Sequence, residues 1–210
     1  MKAMLDEAEV KALILAHTRK AVGRGKKPIV TSEFSLGSSG VRADLAIFAE
    51  TSIGIEIKTA KDTLRRLPSQ MAAYARYFDH VIAVVAPNHV RNITESVLHG
   101  ASLWTYGDDG QPVELHYGVQ NVVEPSSLND ILTQAERRAT GFNEAMRRRY
   151  GETSTAFWKA VARRAIKPED LTILSRFAEA REQAKRFAAE QEQRWSQWLQ
   201  AQGDLLPASA

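Results

Sequence analysis

The chain has 210 residues, of which 44% are hydrophobic and 25% charged, so it can form a globular domain with a sizeable core. It contains no cysteine, which excludes disulfides, thiolate metal sites and a cysteine nucleophile. The net charge of +3 is uneven, because residues 131–200 hold 14 basic and 9 acidic side chains, a balance that suits either a polyanion partner or a solvated helical surface.

The sequence has no apolar run long enough to span a bilayer. Its N-terminus does not resemble a secretory signal, because acidic residues interrupt it and no small-residue cleavage site follows. We therefore expect a cytoplasmic protein with no membrane partner.

The first part of the chain has the pattern of an α/β unit. Apolar residues recur at helical spacing early in the chain. After this segment, apolar and polar residues alternate as is typical of strands. A later near-continuous apolar run is typical of a strand whose sheet is covered on both faces. The predicted order is a helix at 3–19, strands at 29–36, 41–48 and 53–58, a helix at 63–78 and a strand at 80–87. This order predicts a mixed sheet.

The rest of the chain predicts a short helix at 88–100, a β-hairpin at 101–118 and then helices only, at 127–139, 141–150, 154–166 and 168–202. We therefore divide the chain into a core at 1–120 and a basic helical extension at 121–210. The last predicted helix has an apolar stripe that would suit a homodimer or a protein partner, formed by Leu171, Leu174, Phe177, Phe187, Trp195, Trp198 and Leu199.

Charged residues interrupt the aliphatic pattern of two predicted strands. Alternation in the third strand places Ile53, Ile55 and Ile57 on one face, and Glu56 and Lys58 on the other. In the second strand, Arg42 and Asp44 likewise face away from Val41, Ala43, Leu45 and Ile47. If the two strands are neighbours, Asp44 and Glu56 lie side by side.

Neighbouring carboxylates repel one another unless a cation lies between them. Glu33 on the preceding strand, or Glu7 and Glu9 on the first helix, could add a further acid. Oxygen ligands suit a hard cation such as Mg²⁺, which would activate a water and offset charge on a phosphodiester transition state. Lys58 could orient that water or stabilise the developing charge.

The succession "RAD" (42–44), eleven residues, "EIK" (56–58) and a helix with "QMAAY" (70–74) resembles the PD-(D/E)xK nuclease superfamily. The predicted element order also matches its α-β-β-β-α-β core. Within the superfamily, the chain looks closest to small uncharacterised bacterial and phage proteins. The resemblance covers about residues 5–87 and departs from the family name in having Ala43 in place of proline.

This resemblance implies a restriction-endonuclease-like core and a Mg²⁺- or Mn²⁺-dependent nuclease that hydrolyses DNA. Asp44 and Glu56 would bind the metal, Lys58 would be the catalytic lysine, and Glu33, or else Glu9, would be the additional upstream glutamate. Gln70 and Tyr74 would support the site or hold DNA.

Simpler interpretations stand beside these roles. Asp44, Glu56 and Lys58 could form a cross-strand salt bridge on an exposed sheet face. Arg65 and Arg66 could contact phosphate near the site or be solvated residues at a helix start. The alternative function is a nucleic-acid-binding or protein-interaction module with a nuclease-like fold and little catalysis.

Overall fold

Alternating aliphatic residues form one six-stranded sheet in the computed structural model of the protein. The sheet is mixed: β1 to β3 are antiparallel, β4 and β5 run parallel to β3, and β6 is antiparallel to β5. The strands lie in chain order and are β1 (Ile29–Ser35), β2 (Arg42–Phe48), β3 (Ser52–Lys58), β4 (His80–Val85), β5 (Ser102–Tyr106) and β6 (Pro112–His116). The predicted α/β class with a mixed sheet is confirmed.

Helices cover both faces of this sheet. Among the described residues up to 175, the α-helices are α1 (Glu7–Val22), α2 (Leu67–Ala75), α3 (Glu95–Leu98), α4 (Pro125–Ile131), α5 (Gln134–Ala139) and α6 (Phe142–Ala160). The described part of the chain also contains 3₁₀ helices at Gly37–Ser39, Val90–Asn92 and Pro168–Leu174. None of the described helices combines the length and the apolar character that crossing a membrane requires.

The sheet separates two hydrophobic cores. On the first face, α2, α3, α4 and the start of α6 pack over β1 to β5. On the second face, α1, the end of α6 and the 3₁₀ helix Pro168–Leu174 pack over the same sheet. The residues at the centre of the first core include Phe34, Met71 and Phe78, and those of the second include Leu15, Ile55 and Phe157.

Helix α6 contributes to both cores because it crosses the outer strand β1. Its buried Ser154 accepts a hydrogen bond from the backbone N–H of Val30 at 3.0 Å and donates to the Pro28 carbonyl at 3.3 Å. The Trp158 indole N–H donates to the same carbonyl at 2.8 Å. These bonds satisfy backbone groups at the start of β1 that have no further strand beside them.

Two predicted helix boundaries were wrong for reasons that are visible in the chain. The helix predicted from residue 63 begins at Leu67, because Pro68 belongs in the first turn of a helix, where its missing N–H costs nothing. The break predicted between residues 150 and 154 does not occur. Gly151 lies inside α6, where burial of Met146 and Phe157 outweighs the cost of about 1 kcal/mol for one helical glycine.

Two other predicted helices differ from the structure in their described residues. The segment 88–100 divides into the 3₁₀ helix Val90–Asn92 and α3, because Ile93 between them has extended backbone. Within the helix predicted at 168–202, residues Pro168–Leu174 form a 3₁₀ helix that ends before Ser175, whose backbone is extended, and the described residues 191–192 and 194–195 are helical. The rest of that predicted helix lies outside the described residues. Leu171 and Leu174 lie in the second core, so they are not part of a partner surface.

The structure describes residues 5–107, 110–139, 141–175, 191–192 and 194–195. The chain divides into two compact units, Met1–Ser175 and Arg176–Ala210. The boundary predicted at residue 120 falls inside the first unit. In the second unit the described residues are helical, and Trp195 is 60% exposed. Phe177, Phe187, Trp198 and Leu199 of the predicted stripe lie outside the described residues.

Candidate functional site

The site lies where β2 and β3 separate. Their paired residues run from Phe48 and Ser52 to Leu45 and Ile55, and the pairing stops before Asp44. Beyond that point the Asp44 carboxylate accepts a hydrogen bond from the backbone N–H of Ile57 at 2.6 Å. An acidic side chain thus binds a β3 backbone donor at the end of the β2–β3 ladder.

Glu33 of β1 has an unusual backbone conformation beside this opening. Its φ of 56° lies in the left-handed region, which costs a non-glycine residue on the order of 1 kcal/mol or more. Its neighbours Ser32 and Phe34 pair with Leu45 and Ala43, so Glu33 lies across from Asp44.

This conformation interrupts the strand alternation. Phe34 and Ala43 both pack into the first core, whereas Leu45 packs into the second. The prediction that Ala43 shares a face with Leu45 and Ile47 was therefore wrong, because alternation holds only while the backbone stays extended.

Three carboxylates converge at this opening. Glu7 of α1, Glu33 and Asp44 each place an oxygen within 4.8 Å of the others, and we call these three residues the acid cluster. The ammonium of Lys11 lies among them, 2.5 Å from Glu7 and 3.0 Å from Glu33. Lys11 is only 6% exposed, and the sequence analysis did not single it out. Its position four residues after Glu7, on the same helix face, was the available signal.

Capping at the start of α1 determines which of the glutamates of this helix lies in the acid cluster. Asp6 is the N-cap, and Asp6 and Glu9 form a reciprocal capping box, with hydrogen bonds of 2.7 and 2.8 Å. The Glu9 carboxylate therefore binds the helix end instead of joining the acid cluster, while Glu7 does join. The spacing "DEAE" at residues 6–9 is a capping signal that could have separated the two.

The charge of Asp44 is poorly compensated. Burial, followed by the negative charges of Glu56 and Glu7, raises the pKa of Asp44 from its ordinary value of 3.8 to about 8, although the Ile57 N–H and Lys11 oppose the shift. For Lys11, burial lowers the pKa, but the hydrogen bond and charge of Glu7 and the charges of Asp44 and Glu33 raise it overall. The site therefore favours added positive charge.

Glu56 lies beside Asp44 but is held by other partners. Its Oε1 atom accepts a hydrogen bond from the Lys58 ammonium at 2.5 Å, and both side chains are buried. Its Oε2 atom accepts one from the Tyr74 hydroxyl, whose oxygen also lies 2.9 Å from the Arg42 carbonyl. Burial and then the Glu56 charge raise the pKa of Tyr74 well above its ordinary value, so the hydroxyl stays protonated.

The remaining predicted residues lie on or before α2. Gln70 precedes Tyr74 by one helical turn, and its Oε1 atom is buried without a hydrogen-bond partner. Arg65 and Arg66 are exposed just before the helix, and Arg66 is its N-cap. The structure therefore gathers Glu33, Asp44, Glu56, Lys58 and Tyr74, and it leaves both arginines in solvent.

The acid cluster has the donors that a hard divalent cation needs. Its three carboxylates and Lys11 carry a net charge of −2 when all four are ionised. Opposite oxygen ligands of Mg²⁺ are about 4.2 Å apart, twice the metal–oxygen distance. The carboxylate oxygens of the acid cluster lie up to 4.8 Å apart, so the three side chains need to move only slightly towards one another to bind Mg²⁺. The predicted ligand pair was Asp44 and Glu56, whereas the group formed here joins Asp44 to Glu33 and Glu7.

Fold and site together define an α/β protein with an acid-rich, lysine-containing site where β2 and β3 separate. The chain belongs to the family of bacteriophage P4 protein cII, because the model of that family matches residues 1–133, more than half of the chain. This match includes every residue of the site described above.

Among solved structures, the chain is similar to the SPO1766 protein of unknown function from Silicibacter pomeroyi. The two are 12% identical, with a TM-score of 0.49 over 76% of this chain and 93% of the other. A likeness this weak supports no statement about function. No curated protein matches the sequence.

Proposed function

We propose that the protein is a metal-dependent nuclease of the PD-(D/E)xK type that hydrolyses DNA phosphodiesters. One observation carries the proposal: Asp44, held at the point where β2 and β3 separate, has as a charged neighbour Glu56, which binds Lys58, and has two further carboxylates within 4.8 Å. The resemblance assigns Asp44, Glu56, Lys58 and Glu33 to the reaction, and Glu7 is an addition from the structure.

Glu7, Glu33 and Asp44 would hold Mg²⁺ or Mn²⁺, with Glu56 next to them. When bound, the cation would activate a water molecule and offset negative charge on the phosphoryl group. Positive charge at this position would also lower the raised pKa of Asp44 and keep its carboxylate ionised.

Lys58 would stabilise negative charge on the scissile phosphate. Its ammonium is fixed by Glu56, which Tyr74 in turn orients from α2. The orphaned Oε1 atom of Gln70 is a hydrogen-bond acceptor that a water molecule or a nucleotide could satisfy. Arg65 and Arg66, exposed before α2, would contact the DNA backbone.

A phage or prophage origin agrees with the family, which is named after a phage protein. We place the protein in the bacterial cytoplasm, where DNA and Mg²⁺ are both present.

The test is cleavage of supercoiled plasmid, linear duplex and single-stranded DNA with Mg²⁺ or Mn²⁺. Wild type should cleave at least one substrate. Asp44→Asn should lose more than about 100-fold in rate, because replacing even a hydrogen-bond partner of a metal ligand costs about 10- to 100-fold. Glu136→Gln is the matched control, because it removes a carboxylate from α5, away from the acid cluster. Equal rates for wild type and Asp44→Asn would refute the assignment.

A second candidate function is DNA binding with little catalysis. It is favoured by Lys11, which already supplies positive charge to Glu7 and Glu33. Lys11→Met separates the two functions. If the cluster takes a divalent cation, Mg²⁺ should raise the melting temperature of Lys11→Met more than that of wild type. DNA binding in EDTA, no turnover with metal and no effect of Mg²⁺ on either melting temperature would support the second function.

A further inference from the structure

A basic groove lies at the other end of α1, away from the acid cluster. It has a volume of about 1060 Å³ and is bordered by the end of α1, the loop after it, the β5–β6 turn and the end of α6. No aspartate or glutamate is among the described residues that line it. Its six cationic side chains are Arg19, Lys20, Arg24, Lys27, Arg163 and Arg164.

Three of these cations have structural partners. Arg19 donates to the Arg164 carbonyl at 2.9 Å and to that of Val161, and so caps the end of α6. Lys27 donates to the Gly23 carbonyl after α1. The Arg164 guanidinium binds the Asp170 carboxylate through two hydrogen bonds of 2.7 and 2.5 Å. Stabilisation of helix ends therefore explains the presence of these three cations in the groove.

The other three cations are available for a ligand. Lys20, Arg24 and Arg163 are exposed, and within the described part of the chain no salt bridge joins them to a carboxylate. They come from three separate segments: the last turn of α1, the following loop and the stretch after α6. Stabilisation of a helix end does not require three exposed cations to converge from separate segments on one concave surface.

We infer that this groove binds the phosphate backbone of DNA through Lys20, Arg24 and Arg163. Basic side chains around a concave surface attract phosphates without reading bases, so binding should be independent of sequence and strongly salt-dependent. The inference deepens the proposed function, because it adds a binding surface for the same substrate class.

The groove lies far enough from the acid cluster to require DNA of some length. Glu7 and Lys20 are thirteen residues apart on one helix, about 20 Å along its axis. Duplex DNA covers that distance in about six base pairs. A strand held at both places would extend at least that far from the scissile phosphate.

The test measures binding of a fluorescent 20-base-pair duplex in EDTA over a range of salt concentrations, so that cleavage plays no part. Each lost phosphate contact lowers the slope of log K against log salt by about 0.9. The variant Lys20→Gln/Arg24→Gln/Arg163→Gln should therefore lower the slope by about 2 to 3. The matched control Arg91→Gln/Arg138→Gln/Arg147→Gln removes the same charge from exposed sites outside the groove and should keep the slope.

An unchanged slope in the groove variant, or an equal loss in the control, would overturn the inference. If the triple variant does not fold, Arg163→Glu alone should weaken binding and Arg138→Glu should not. Competition by polyglutamate as effective as unlabelled duplex of equal charge would also overturn it. Since Asp44→Asn keeps the groove, its DNA binding in EDTA separates failure here from failure of the proposed nuclease.

Discussion

Carboxylates have oppositely shifted pKa values in two regions of this protein. At the end of the β2–β3 ladder, Asp44 is buried among other acids, and its pKa is raised to about 8. Between α5 and α6, the Arg149 guanidinium binds both oxygens of Glu136, and these hydrogen bonds lower the pKa of Glu136 to about 2. Asp170, bound by Arg164, has a pKa of about 2 for the same reason.

The difference separates carboxylates whose charge is fully paired from carboxylates whose charge is only partly compensated. Glu136 and Asp170 each bind one arginine through two hydrogen bonds, whereas the three carboxylates of the acid cluster share the ammonium of Lys11. A fold optimised only for stability would not keep this imbalance. The comparison therefore favours a ligand role for the acid cluster. Substitutions in either region can test it.

The largest effect on stability is expected from Lys58→Met, which leaves the buried Glu56 carboxylate without its ammonium partner. Breaking a buried ion pair costs about 3–5 kcal/mol in the free energy of unfolding, measured by urea denaturation. The double variant Glu56→Gln/Lys58→Met should recover much of the loss. As a control, substitution of the exposed Lys61 by Met should change the free energy of unfolding by less than about 0.5 kcal/mol. Equal losses in Lys61→Met and Lys58→Met would contradict a special role for the Glu56–Lys58 ion pair.

In the helical region, Arg149→Met should cost about 2 kcal/mol by the same measurement. Arg149 is 14% exposed and also donates to the Ile131 carbonyl at 3.0 Å, so its loss leaves several acceptors unsatisfied. Arg148→Met is the neighbouring control, because its side chain is 63% exposed in a pair with Glu144 and should matter little. Similar losses in both variants would mean that the Arg149 pair contributes no more than a surface pair.

The two regions should respond to pH with opposite signs. The folded-state pKa of Asp44, about 8, exceeds its ordinary value of 3.8, so its contribution to stability is present below about pH 4 and is lost as the pH rises to 8. In EDTA, wild type should lose at least about 1.4 kcal/mol, the equivalent of one pKa unit, relative to Asp44→Asn between pH 5 and pH 8.

For Glu136 the folded-state pKa of about 2 lies below the ordinary 4.5, so its contribution is present above pH 4.5 and is lost as the pH falls through 2. Glu136→Gln should therefore flatten the acid limb of the stability curve. Asp44→Asn should flatten the part between pH 4 and 8 instead. Urea denaturation across this range checks both, and a curve unchanged by either substitution would contradict the comparison.

The smallest effect is expected from Tyr74→Phe, which removes the hydroxyl between Glu56 and the Arg42 carbonyl. We expect a loss of about 1 kcal/mol, since Lys58 still binds Glu56. Tyr77→Phe offers a comparison, because that hydroxyl binds the Asp130 carboxylate at 2.8 Å, far from the acid cluster. A Mg²⁺-induced rise in melting temperature that changes only in Tyr74→Phe would connect the tyrosine to the site.

Local patterns predicted the sheet well. The observed bounds of β1 to β4 lie within two residues of those predicted, because the pattern of aliphatic residues indicates which side chains of a strand are buried. Glu56 and Lys58 could be placed on one face because alternation holds along β3, whereas Asp44 lies near Glu56 even though the alternation of β2 changes between Ala43 and Leu45. The left-handed backbone of Glu33 has no signature in the residue types, so the packing of Ala43 could not be predicted. Lys11 enters the site only through the packing of α1 on the sheet, which depends on the whole fold.

The crossing of β1 by α6 gives the sheet two unlike borders. At one border Ser154 binds the Val30 N–H, and amide hydrogen exchange there should be slow. At the other, β6 has no further strand beside it in the described sheet, and Val113 and Leu115 are 42% and 46% exposed. Strand-to-strand aggregation at high concentration should therefore begin at β6, and a lysine or proline placed there should improve solubility.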